Sequence, residues 1–204
     1  MRKLAIGLGA LALTLPATGQ TLEGVDAGIY ELEKTHAFLT WSVRHNGISD
    51  YIVNFTDFDA TLDFDPAAPE NSALEVTINP TALETKYPDP EKKVEWENEL
   101  AFDPRFMNAN EFPTITFVST DVAVTGEFAG TVTGDVTFLG VTKPVTLNVE
   151  YGGVTNPPWF AGRDVIGFTA TGTLNRTDFG SDALLAAASD EVTISFSGEF
   201  LQVE

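Results

Sequence analysis

The sequence predicts an all-β chain closing into one eight-stranded antiparallel barrel, and three observations carry that expectation. Apolar and polar residues alternate with a period of two over most of the chain, as half-buried strands require. The alternating segments are rich in Val, Thr, Ile, Phe and Tyr, which suit a pleated, half-buried surface. Eight such segments are separated by turn residues or longer connections. Eight strands close naturally into a barrel whose interior is filled by side chains or holds one small ligand.

The segments follow in order. Leu39, Trp41, Val43 and His45 share one face of the first strand, with Thr40, Ser42 and Arg44 on the other, and His45-Asn46-Gly47 supplies a turn. The second runs through Tyr51, Val53 and Phe55, then changes phase to Phe58, Ala60, Leu62 and Phe64, which reads as a β-bulge. Leu74, Val76 and Ile78 form the third strand, ended by Asn79-Pro80; Ile115 and Phe117 begin a fourth that continues towards Val124. Val132, Gly134, Val136 and Phe138 form the fifth, and a turn over Gly140-Val141-Thr142-Lys143-Pro144 leads into Val145, Leu147 and Val149, with Pro144 tolerated at the strand opening. Phe168, Ala170, Gly172 and Leu174 make the seventh, and Val192, Ile194 and Phe196 the eighth. The small inward residues Ala60, Gly134, Ala170 and Gly172 are expected to leave room for a ligand.

One stretch breaks the pattern. Between Pro88 and Phe112, the run Pro90–Leu100 reads as a short capped helix followed by Phe102, Phe106 and Phe112. It is either a crossover whose aromatics plug one end of the barrel or a lid over an entrance, since long connections in compact domains are often functional. The two readings are compatible. Residues 152–162, with Asn156-Pro157-Pro158, read as an exposed hairpin loop.

At the N-terminus Arg2 and Lys3 precede an apolar run from Leu4 to Leu15, followed by Pro16, Ala17, Thr18 and Gly19. This has the three-part form of a secretory signal peptide. The run falls short of the roughly 20 residues of a membrane span. The expectation is a signal peptide over residues 1–19, then a single exported domain over residues 20–204, periplasmic or secreted, without stable membrane insertion. With no Cys in the chain, neither a lipid-modified cysteine nor a disulfide is available, and export does not require either.

The chain carries 11 basic and 30 acidic residues, a net charge of −19; without Arg2 and Lys3 the balance is 9 against 30, or −21. Such a surface disfavours nucleic acid as a partner. It also opposes docking on an anionic membrane through general electrostatics.

Several segments in order resemble the YceI-like family of exported polyisoprenoid-binding proteins. They are the two-histidine strand from His36 to Ser49, Phe106 with Glu111-Phe112-Pro113-Thr114-Ile115-Thr116-Phe117, the run from Gly134 to Val145, Gly167-Phe168 with Leu174-Asn175-Arg176-Thr177-Asp178-Phe179-Gly180, and Asp190-Glu191-Val192-Thr193-Ile194. The resemblance spans nearly all of the chain after residue 19. It implies a lipocalin-like barrel with an elongated apolar cavity for an isoprenoid lipid or similar long-chain amphiphile. The chain departs from the family pattern at Trp41, Asn54 and Met107, on or near the expected cavity surface.

The inward faces and these motifs together mark Leu39, Trp41, Val43, His45, Phe55, Phe58, Leu62, Phe102, Phe106, Phe117, Val136, Phe138, Phe168, Arg176, Phe179 and Ile194 as candidate cavity residues. His36 and His45 either touch a polar head group or each other, or are packed, hydrogen-bonded residues. Arg176 with Asp178 is either a head-group clamp, or a structural ion pair or turn-capping pair before Phe179-Gly180. A hydrolase or metal enzyme would need a nucleophile beside a base or a ligand cluster. Neither is visible in the sequence, and two histidines nine residues apart make no zinc signature. The expectation is therefore a non-enzymatic carrier with no metal and no cofactor beyond its lipid. A surface-interaction protein using the acidic face or Pro157-Pro158-Trp159-Phe160 is the alternative. A closed barrel has no free sheet edge with which to dimerise, which leaves a homodimer through loops open.

Overall fold

The computed structural model describes residues 22–204; the expected signal segment 1–19 and the processing point near Gln20 lie outside the described residues. Ten strands and one α-helix follow in the order β1 (Gly28–His45), β2 (Ser49–Phe55), β3 (Phe58–Phe64), β4 (Ala73–Ile78), β5 (Leu83–Glu84), α1 (Pro90–Phe102), β6 (Ile115–Val124), β7 (Ala129–Phe138), β8 (Val141–Thr155), β9 (Val165–Asn175) and β10 (Ala188–Gln202). Eight of them close an antiparallel ring in the order β1-β3-β4-β6-β7-β8-β9-β10, with β10 pairing back onto β1. The expected barrel is what forms.

The remaining strands explain the phase change after Phe55. β2 and β3 lie along one edge of β1, β2 opposite Leu39–His45 and β3 opposite Gly28–Glu31. They part at Thr56-Asp57 because their outer neighbours differ: β2 pairs with β5, and β3 with β4. The phase change is thus a break between two strands rather than the expected bulge. A bulge does lie in β1, whose register against β10 slips between Glu33, opposite Glu199, and Ala37, opposite Gly198. β1 also starts at Gly28, well before the expected Leu39.

The β7–β8 turn is shorter than expected. Leu139 and Gly140 both have positive φ, 50° and 73°. A two-residue hairpin turn with both φ values positive matches the right-handed twist of the flanking strands. β8 therefore begins at Val141, and Pro144 sits within it opposite Asp135, before β8 meets β9 at Leu147.

The two ends of the barrel differ. At the lower end, where β1 begins and β10 stops, Tyr30 is fully buried, and its hydroxyl donates to the Asp26 carbonyl at 2.7 Å and to Asp164 Oδ2 at 3.2 Å. Asp164 also accepts from the Asp26 N–H at 2.8 Å and from Asn156 Nδ2. Burial and the neighbouring Asp164 charge push the Tyr30 phenol well above its usual range. Phe64, Phe168 and Phe200 pack edge to face beside it, with centroids 5.9 and 6.1 Å apart.

The upper end carries α1. Asp89 caps the helix by accepting from the N–H groups of Glu91 and Lys92, both at 3.1 Å, and Pro90 opens the first turn, where its missing N–H costs nothing. Leu100 and Ala101 are buried against the barrel. No helix among the described residues is long and apolar enough to cross a membrane.

Candidate functional site: an apolar cavity in two chambers

The barrel encloses a cavity of about 500 Å³ beneath α1, within the volume range of small-molecule sites. Twelve of the candidate residues line it: Leu39, Trp41, Val43, His45, Phe55, Phe58, Phe106, Phe117, Val136, Phe138, Arg176 and Ile194. Leu62 and Phe168 instead line a second, lower chamber of about 150 Å³. Phe102 and Phe179 border neither chamber. Phe102 ends α1 with 38% of its surface exposed, whereas Phe179 is buried behind Phe138, with ring centroids 5.9 Å apart.

The strands place these side chains by simple alternation, each inward residue separated from the next by an outward one, as in Phe58, Ala60, Leu62 and Phe64, all buried. Ala60 and Ala170 border the main cavity, as expected from their size. The glycines do not leave open space. A Cβ at Gly172 would lie 2.6 Å from Leu147 Cδ2, and one at Gly134 would collide with the Phe117 ring. Their room is occupied by cross-strand neighbours rather than left to a ligand.

Sequence periodicity missed the helix's contribution. Trp96 and Leu100 from α1 complete the wall, together with Met107 just beyond it, a position the sequence already put near the cavity surface. Trp96 Nε1 donates to the Tyr51 hydroxyl at 2.7 Å, and its ring meets Phe106 edge to face at 5.8 Å. Burial pushes the Tyr51 phenol up. Farther out, Glu97 accepts from Thr85 N and Oγ1 at 2.8 and 3.0 Å, and Lys93 pairs with Glu84 at 2.7 Å. The 88–112 connection therefore packs over the upper end of the barrel.

A second cover is the turn between β9 and β10, and Arg176 organises it. Its buried guanidinium donates to four carbonyls: Ser189 at 2.9 Å from Nε, Ala183 at 2.6 Å and Ser181 at 3.4 Å from Nη1, and Ala188 at 3.0 Å from Nη2. Burial pulls its pKa down, opposed by the charges of Asp190 and Asp182. The guanidinium thus caps this turn through its carbonyls rather than through Asp178. Thr177 fastens the same turn by donating to Asp190 from its N–H and hydroxyl at 2.9 and 2.7 Å.

The two histidines are apart. His45 borders the cavity at the upper rim, with Asn46 Nδ2 3.3 Å from its Nδ1. His36 lies in the β1 bulge on the outer face, beside Glu33 and 3.8 Å from Glu199 Oε2. The ligand atoms of Glu33, His36 and Glu199 lie within 4.8 Å of one another, making a three-residue group that spacing alone does not reveal because Glu199 comes from the opposite end of the chain. Trp41 presents a different feature: its Nε1 is buried without a hydrogen-bond partner among the described residues, although the ring borders the cavity. A buried donor left unsatisfied costs about 1–3 kcal/mol.

A YceI-like domain model matches residues 30–200, nearly all of the barrel. The chain belongs to the YceI-like family. A UPF0312 protein of Enterobacter sp. (strain 638) is 36% identical over 203 residues, 98% of this chain and 97% of the relative. The crystal structure of the Campylobacter jejuni YCEI protein superposes with a TM-score of 0.68 at 30% identity, covering 77% of this chain and 88% of that one. The same fold recurs, at 11% identity and a TM-score of 0.59, in a polyisoprenoid binding domain from Saccharophagus degradans implicated in plant cell wall breakdown, with 88% of this YceI-like chain and 100% of that domain covered.

Proposed function

We propose that this YceI-like protein is an exported carrier that holds one isoprenoid lipid, of polyprenyl or quinone type, or a similar long-chain amphiphile, and performs no chemistry on it. The observation that carries the proposal is the main chamber itself: about 500 Å³ walled almost entirely by aliphatic and aromatic side chains from all around the barrel. Each methylene moved from water into such a wall contributes about 0.8 kcal/mol, so a long chain is retained without any strong polar contact. The polar side chains that border the chamber include His45, Tyr51, Tyr87, Arg176 and Ser181, on the β1–β2 hairpin, on β2 and in the connections of the upper end. These polar groups support a head group at the upper end with the apolar tail below it. The polyisoprenoid binding domain of Saccharophagus degradans shares this fold and supports the same ligand class. The signal-like segment of residues 1–19 supports the exported, periplasmic or secreted setting.

Purification without detergent, native mass spectrometry and denaturing lipid extraction test the proposal. One long-chain amphiphile per chain is the expected result. A protein that emerges empty and takes up no offered prenol or quinone overturns it.

A further inference from the structure

We propose that the lower chamber is a subsite for the end of the ligand's apolar chain, and that a side-chain partition between the chambers sets the longest chain the barrel accepts. The inference rests on the carrier reading above. The chambers of about 500 and 150 Å³ share five wall residues: Leu74, Leu147, Ala170, Phe196 and Phe200. All five lie on staves of the barrel, so side chains and not a crossing backbone separate the two spaces.

The partition is built from bulky residues leaning over glycines. Phe196 on β10 stands opposite Ala170 on β9, and its ring lies over Gly198, where a Cβ would come within 2.7 Å of Phe196 Cζ. Leu147 on β8 stands opposite Gly172 and covers it in the same way, 2.6 Å from the position of a Cβ. Phe196 then meets Phe200 at 6.0 Å and Phe58 at 6.4 Å between centroids. Phe196 and Leu147 reach across by their side-chain torsions alone, so the partition is set by rotamers and side-chain size and not by the backbone. Below the partition, Phe64, Val132, Val149 and Phe168 offer an apolar surface suited to a chain terminus rather than a head group. The lower chamber has less than a third of the volume of the upper, so it extends the accepted chain by a short terminal segment.

The test offers the delipidated full-length mature protein an equimolar ladder of all-trans prenols, from farnesol through geranylgeraniol to longer chains, and reads the bound length by native mass spectrometry. Ala170→Leu, which fills the passage, is expected to shift the preferred prenol shorter by about one isoprene unit, and Phe196→Leu, which thins the partition, to shift it longer by a similar step. Circular dichroism and a thermal melt establish that each variant is folded, and Ala170→Val replaces Ala170→Leu if the larger side chain prevents folding. Retention of the parental length preference by both variants, or a shift of both in one direction, overturns the partition. Failure of the parent to bind any prenol overturns the carrier reading instead, so the two failures are distinguishable.

Discussion

The upper and lower ends of the barrel are closed by opposite means. Below, Tyr30, Asp26, Asn156 and Asp164 are tied by buried hydrogen bonds, and Phe64, Phe168 and Phe200 fill the space beside them. Above, α1 and the β9–β10 turn cover a large void, held by Trp96–Tyr51, Glu97–Thr85 and the Arg176 carbonyl cage. The difference teaches how one fold separates its tasks: the lower end ties the staves together and leaves only a small chamber, while the upper end preserves most of the space. Substitutions at the two ends should fail in different ways.

The largest stability loss belongs to the lower end. Tyr30→Ala removes a fully buried ring and two hydrogen bonds, and should cost about 3–5 kcal/mol in urea unfolding, the range for buried aromatics truncated to alanine. A loss below about 1 kcal/mol would break the contrast.

At the upper end the largest effect should fall on binding of the proposed lipid. Phe55→Asp or Phe138→Asp places a charge in the wall of the main chamber, where it is either desolvated beside the lipid or draws water into the lipid's path. Bound lipid should drop at least about tenfold, equivalent to about 1.4 kcal/mol, while circular dichroism still reports a folded barrel. Thr40→Asp and Ser42→Asp, on the other face of β1, provide the control and should leave the lipid load near that of the parent.

The cover should yield less. Trp96→Phe removes the 2.7 Å hydrogen bond to Tyr51 but keeps most of the ring, so stability should fall by about 0.5–1.5 kcal/mol. Lipid release, followed by transfer to acceptor vesicles, should quicken severalfold. An unchanged release rate would mean that the ligand leaves by another route.

The eight staves were legible because alternation survives along them, as in Phe58, Ala60, Leu62 and Phe64. The first half of β1 was not. Its inward Tyr30 and Leu32 are followed by a bulge over Lys34, Thr35 and His36 that destroys the period before Leu39 restores it. The same kind of limit hid the break at Thr56-Asp57, since a change of phase does not reveal which strand lies alongside. Inward glycines were legible as gaps, but their filling by Leu147 and Phe117 depends on cross-strand register. Trp96 and Leu100 escaped notice as wall residues because α1 is mostly polar and touches the barrel through one narrow face. Arg176 stood out in its motif; its carbonyl partners lie up to thirteen residues away, in a turn without a periodic signature.

The smallest predicted effect concerns pH. The folded state holds the Tyr30 phenol protonated, so its contribution is intact below the ordinary tyrosine value near 10.0 and is lost as pH rises beyond it, where only the unfolded chain ionises readily. Melting temperature should therefore fall above about pH 10. The slope should be shallower in Tyr30→Phe, and an identical slope would remove Tyr30 from the account.

The most direct test of the central claim is an experimental density map of the protein purified gently from its natural host. The account predicts continuous, elongated density in the main chamber, running past Trp41, Phe58 and Phe117 beneath α1. Side chains collapsed into that space, or a chamber filled only by ordered water, would contradict it.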